Sequence, residues 1–184
     1  HLFFSQFNRS LNLNVNYKPI EMKKIILSLL FGALISSCNN NDLMEIKKKT
    51  KSYFIHLTSD PKINPSAAMM SIFAASEALK QGHSVTYFAA GDGTRILLKE
   101  VIENLHTVTP HGGGTSKISE AAKNSLLEFS KNGGIIHVSE GSIATYGVNQ
   151  DNYKEHLIDV SKIFWSYPKQ LIEESSKADI VFSY

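Results

Sequence analysis

Residues able to do chemistry gather in three short polar stretches: Ser59-Asp60-Pro61 with Asn64 just beyond, Gly91-Asp92-Gly93, and Ser139-Glu140-Gly141. Each pairs a hydroxyl, carboxamide or carboxylate with a turn-forming residue. Gly91-Asp92-Gly93 can bring backbone close to a ligand while Asp92 accepts hydrogen bonds, or it can be a turn that caps the next helix. It is not a dinucleotide fingerprint, because G-x-G-x-x-G is incomplete. His111-Gly112-Gly113-Gly114 looks like an esterase oxyanion-hole loop, but that chemistry needs a G-x-S-x-G nucleophile elbow. None occurs, since Gly141-Ser142 runs on as Ile143-Ala144-Thr145. A flexible glycine-rich loop is the simpler reading. His106 and His111 would need ligands from another chain to hold a metal, so neither a metal site nor a cofactor is expected. His56 and His137 lie in strand-like runs and read as satisfied core or sheet-end histidines, and His83 as part of a helix-to-strand turn. Trp165 and Tyr167 read as core or subunit-contact residues.

The remaining reactive side chain is Cys38, the sole cysteine. It excludes an intramolecular disulfide and a cysteine-based zinc site. Met22-Lys23-Lys24 is basic, Ile25 to Ile35 is an uncharged run of 11 residues, and Ser36-Ser37 are small. That order is a secretory signal. The apolar run falls short of the roughly 20 residues that span a bilayer. Ile35-Ser36-Ser37-Cys38 resembles a bacterial lipobox, so residues 22–37 are expected to be a lipoprotein signal peptide with Cys38 as the lipidation site. Residues 1–21 read as an upstream, non-native extension, and 38–51 as a lipidated polar linker. The expected location is the bacterial cell envelope, lipid-anchored, with the domain in the periplasm or outside.

The chain has 184 residues, 42 % hydrophobic and 20 % charged, which suits one globular domain. From Cys38 onward the formal balance is −1, with 15 basic against 16 acidic residues. Charges this scattered leave no footprint for nucleic acid.

The elements that would position the polar stretches alternate. Tyr53 to Thr58 reads as a buried strand, and Asn64-Pro65 opens a helix to about Gln81 with Gly82 as its stop. That helix is apolar nearly all round, so a sheet and a neighbouring subunit are expected to cover it. Ser84 to Ala89 is the second strand, and Ile96, Leu97, Val101 and Ile102 follow at helical spacing. Residues 106 to 118 read as a loop, with Ser119 capping a helix that ends near Asn132. Ile135 to Val138 is the third strand, followed by a loop holding Ser139, Gly141 and Gly147. Ile163-Phe164 starts a fourth strand, Ser166 and Pro168 open a last helix, and Asp179 to Phe182 close the chain as a strand. Such alternation predicts an α/β fold: a mainly parallel sheet of about five strands, covered on both faces.

Thr58-Ser59-Asp60-Pro61 after the first strand, the alanine-rich helix closing in Gly82-His83, Val85-Thr86-Tyr87-Phe88, Gly91-Asp92-Gly93 and the tail Lys177-Ala178-Asp179-Ile180-Val181-Phe182 together resemble the DsrE/DsrF-like family. The resemblance spans residues 52–184. It implies a flavodoxin-like three-layer sandwich, assembly as a homo-oligomer (trimer or hexamer), and kinship with sulfur-relay and peroxiredoxin-like proteins. Sulfur-relay members carry a cysteine after the third strand, and Ser139 stands at that place here. A serine hydroxyl cannot form a persulfide, and its proton is far less acidic than a thiol's.

Three functional classes compete. A non-catalytic ligand-binding or assembly module suits the missing nucleophile and is favoured, with no catalytic residue assigned. A sulfur-relay or redox-linked enzyme or carrier suits the family. A hydrolase using His111 lacks its elbow. The expected ligand site is the rim beyond the C-terminal ends of the strands, formed by Asp60, Asn64, Gly91, Asp92, Gly93, Ser139, Glu140 and Gly141. The ligand, whether small molecule or protein, is unnamed by the sequence. Three carboxylates there oppose an anion unless a cation intervenes.

Overall fold

The structure, a computed structural model, describes residues 49–106 and 116–184. The expectations for the signal segment, Cys38 and His111-Gly112-Gly113-Gly114 fall outside the described residues. The described residues belong to one compact unit, and none of their helices is long and apolar enough to cross a membrane.

Strand β1 (Ser52–Leu57) is followed by helix α1 (Pro65–Lys80), strand β2 (Ser84–Ala89), a 3-10 helix (Gly91–Leu97) and helix α2 (Lys99–Ile102). Helix α3 (Ser116–Lys131) leads to strand β3 (Ile135–Ser139) and the short helices α4 (Glu140–Ala144) and α5 (Tyr153–His156). Strand β4 (Phe164–Ser166), helix α6 (Pro168–Ser176) and strand β5 (Ile180–Ser183) complete the order. The strands form one parallel sheet, ordered β4-β3-β2-β1-β5. The chain steps outward from β1 to β4, then returns across the sheet to lay β5 against the far side of β1.

Local chemistry sets most boundaries. Asn64 caps α1, its side-chain oxygen accepting from Ala67 N at 3.1 Å, and Pro65 occupies the first turn. Gly82, at φ +84°, lets the chain turn into β2. Helix α3 starts earlier than expected, at Ser116, because its apolar stripe begins at Ile118 and continues through Ala122, Leu126 and Phe129. Ser119 therefore lies buried in the first turn, not at the cap. Where a loop was expected after β3, α4 begins at once, anchored by buried Ile143. Gly91-Asp92-Gly93 opens a 3-10 helix whose Ile96 and Leu97 are buried.

Helices α1 and α3 cover one face of the sheet. Ile55, Leu57, Val85, Tyr87, Ala89, Ile136 and Val138 point into this layer and meet Ile72, Ala75, Leu126 and Phe129 in the principal core. The second side of α1 is covered by α3 of the same chain, with Ser76 Oγ donating to Ser125 O at 3.3 Å. Part of the helix's apolar breadth is thus met within the chain, while Met70 stays exposed.

The opposite face carries Phe54, His56, Phe88, His137 and Phe164, which lie outside that core. Helix α6 crosses here, as a right-handed return from β4 to β5 demands, and it has no buried residue of its own.

Candidate functional site

The C-terminal ends of β1, β2 and β3 bring most of the predicted rim together. Beyond β1, the Asp60 carboxylate accepts from Lys62 N at 2.9 Å and is paired with the Arg95 guanidinium. Both partners are mostly buried, with side-chain exposures of 18 % for Arg95 and 10 % for Asp60. Arg95 also lies over the Tyr146 ring, 5.1 Å from its centroid. The Tyr146 hydroxyl in turn donates to Asp92, and that bond holds the phenol above its ordinary pKa. Asp60, Arg95, Tyr146 and Asp92 therefore form one continuous strip from the β1 end to the β2 end. Arg95 and Tyr146 had not been singled out from the sequence. The one available signal for Arg95 was a lone arginine placed one turn beyond Gly91-Asp92-Gly93.

Gly93 is fixed by packing. A Cβ there would stand 2.3 Å from Leu57 O, so only glycine lets the 3-10 helix lie against β1. Gly93 N donates to Thr58 O at 3.1 Å, and Ala90 N to Leu57 O at 2.9 Å. Gly91 N donates to Ser142 Oγ at 3.1 Å, and Ser142 Oγ donates to Ser139 Oγ at 2.9 Å. This short chain ties the β2 end to the β3 end through two hydroxyls. Asp92 lies in the helical turn, so Gly91-Asp92-Gly93 serves as a helix start as well as a rim segment.

Glu140 takes a different direction. It accepts from Gln150 Nε2 at 3.2 Å and lies beside Tyr167 at the α6 entry, raising the phenol's pKa. Gly141 makes no close approach: a Cβ there would meet open space. Asn64 is committed to capping α1, and it lines a separate cleft of about 630 Å³ with Pro61, Glu100, Asn104 and His106. A smaller cleft of about 400 Å³ opens beside the rim strip, lined by Arg95, Lys99, Tyr146, Glu155 and His156.

The strand histidines behave differently from one another. His137 Nδ1 and Ser166 Oγ are 2.8 Å apart, as expected for a satisfied histidine. His56 departs from that expectation, because its Nε2 is buried without a hydrogen-bond partner. Burial holds both rings below the ordinary histidine pKa. His83 is buried in its turn, accepting from Lys51 N at 3.3 Å and packing on Tyr53. Trp165 packs edge-on to Tyr153, while Tyr167 is exposed. Among the described residues, no three histidine, cysteine, aspartate or glutamate side chains cluster as a metal site would need.

Chemically, the rim offers a neutralised Asp60–Arg95 pair, a phenol and carboxylate at Tyr146–Asp92, and two linked hydroxyls at Ser139–Ser142. These groups can bind and orient a polar ligand. Ser139 is the hydrogen-bond acceptor of another hydroxyl, an arrangement that supplies no base to remove its own proton.

Comparison with known proteins gives a consistent picture. No curated protein matches the chain. Among solved structures, the crystal structure of the ychN protein from E. coli aligns with a TM-score of 0.50 at 12 % identity, covering 74 % of this chain and 100 % of that one. At that identity the likeness concerns the fold, an α/β parallel sheet of the flavodoxin-like kind. A family model described as the DsrE/DsrF-like family matches residues 51–184. The family match covers nearly all of the described residues and the strand arrangement fits it, and this chain belongs to the DsrE/DsrF-like family.

Proposed function

We propose that this chain is a membrane-anchored DsrE/DsrF-like module that binds a polar ligand or partner at its strand-end rim and carries no sulfur. The observation that supports this reading most is the state of Ser139. It occupies the end of β3, where the family resemblance implies a cysteine, and its hydroxyl oxygen accepts from Ser142 Oγ at 2.9 Å. A cysteine thiol has a reference pKa of about 8.5 and becomes a nucleophile by losing that proton. The serine hydroxyl lacks that acidity, and its hydrogen bond is to another hydroxyl. The sole cysteine, Cys38, is assigned to lipidation, which consumes its thiol. Stable anchoring needs more than one acyl chain, at about 0.8 kcal/mol per buried methylene, and a diacylglyceryl cysteine meets that need. The domain then stands in the periplasm or outside, and it assembles as a homo-oligomer, a trimer or hexamer.

Two variants test the proposal. Cys38→Ala is expected to release the chain into the soluble fraction or leave it unprocessed; normal cleavage with full membrane retention contradicts the anchor. Adding Ser139→Cys to that background is expected to create a thiol that reacts with a maleimide in the folded protein. An inert thiol there means that the ligand rim does not include Ser139.

A further inference from the structure

The two faces of the sheet are covered unequally. Helix α6 has nine residues, Pro168–Ser176, none of them buried. At 1.5 Å per residue it is about 13 Å long, against about 19 Å between the outermost of five strands spaced 4.8 Å apart. On the face it crosses, one cross-strand row runs Ser183–His56–Phe88–His137–Phe164 in register. His137 is stacked between Phe88, at 5.4 Å, and Phe164, at 5.1 Å. His56 meets the edge of Phe88 at 6.0 Å, and its Nε2 is buried with no acceptor or donor beside it. The row continues to the site: Ser166, bonded to His137 Nδ1, lies beside Ser139 in the strand register.

We propose that α6 is an acid-released strap: protonation of the His56–His137 row loosens it and opens the β3–β4 end of the sheet, where Ser139 and Ser166 lie. A second proton on His56 places an N–H where no acceptor exists, so that group must reach water. A charge on His137 has to sit between two phenyl rings. The charged groups acting on His137 are Glu174 of α6 and Lys177 just beyond its end, of opposite sign. Two residues before β4 begins, Lys162 lies over the outer ring, Phe164, at 4.2 Å. Burial dominates, and it disfavours the charged form. The closed strap therefore binds these protons less tightly than the open one, so opening grows as pH falls below the open-state histidine pKa of about 6.5. The layer under α1 is apolar apart from Tyr87, and His83 lies in the turn beyond the end of α1, so the α1 amides from Ala68 to Ala75 serve as the reference.

Hydrogen exchange of the full chain, read by mass spectrometry between about pH 7.5 and pH 5 and corrected for intrinsic rates, tests the strap. The opening constant of the α6 amides is expected to rise by up to about tenfold per pH unit per histidine below pH 6.5, while α1 amides stay protected. His56→Gln with His137→Gln is expected to flatten that rise. A pH-independent α6 overturns the proposal, as does loosening of α6 and α1 together, which is global acid unfolding. A rise that survives in the double variant also overturns it. Should the double variant not fold, the contrast between α6 and α1 in the unaltered chain decides.

Discussion

One face of the sheet is lined mainly by aliphatic side chains, with Tyr87 among them, beneath two helices of 16 residues each. The other is lined by phenylalanine and histidine beneath one helix of nine. The titratable group buried in the first face, Tyr87, is held above its ordinary pKa by burial and stays neutral, so this face supplies stability that changes little with conditions. The second face shares the same strands but mixes titratable rings with apolar ones under a thin cover. Stability and responsiveness are thus separated by the pleat: alternate residues of β1, β2 and β3 serve one or the other.

The aliphatic face is most sensitive at Leu126, which is fully buried between α3 and the sheet. Leu126→Ala is expected to lower unfolding free energy by about 2–5 kcal/mol; a loss below 1 kcal/mol in urea denaturation means that the thick face does not dominate. A smaller effect is expected from pH. Because burial depresses the pKa of His56 and His137 in the folded state, their contribution is complete above about pH 6.5 and is lost as pH falls toward their folded values. The urea midpoint should therefore fall on acidification from neutrality, more in the unaltered chain than in His137→Gln. The smallest effect is expected at Ile172, exposed on α6 at 67 %. Ile172→Ser should change stability by no more than about 0.5 kcal/mol, and a larger loss in the same urea assay would show that α6 is held as firmly as α1.

Much of this was legible in the sequence because it depends on local chemistry. The α1 cap at Asn64 and its stop at Gly82 have turn and helix signals of their own, and β2 was bounded without error from Ser84 to Ala89. The early start of α3 was hidden because Ser116 and Lys117 are polar and carry no periodic signal before Ile118. Helix α4 was hidden because Gly141 and Ser142 read as loop, while one buried residue, Ile143, holds the turn in place. At the site, the rim position of Asp60, Asp92 and Ser139 followed from strand topology. The Asp60–Arg95 and Asp92–Tyr146 pairings did not, since they join residues 35 and 54 positions apart. The unpartnered His56 was also out of reach, because alternation places a side chain on a face without saying which helix covers it.

Sulfur loading tests the role of residue 139 most directly. The full chain carrying Cys38→Ala, and the same chain with Ser139→Cys added, are each incubated with a polysulfide donor and read by intact mass. No added sulfur is expected on the first chain, and one sulfur atom gained at residue 139 is expected on the second. Sulfur bound by the chain that has no cysteine would contradict that expectation.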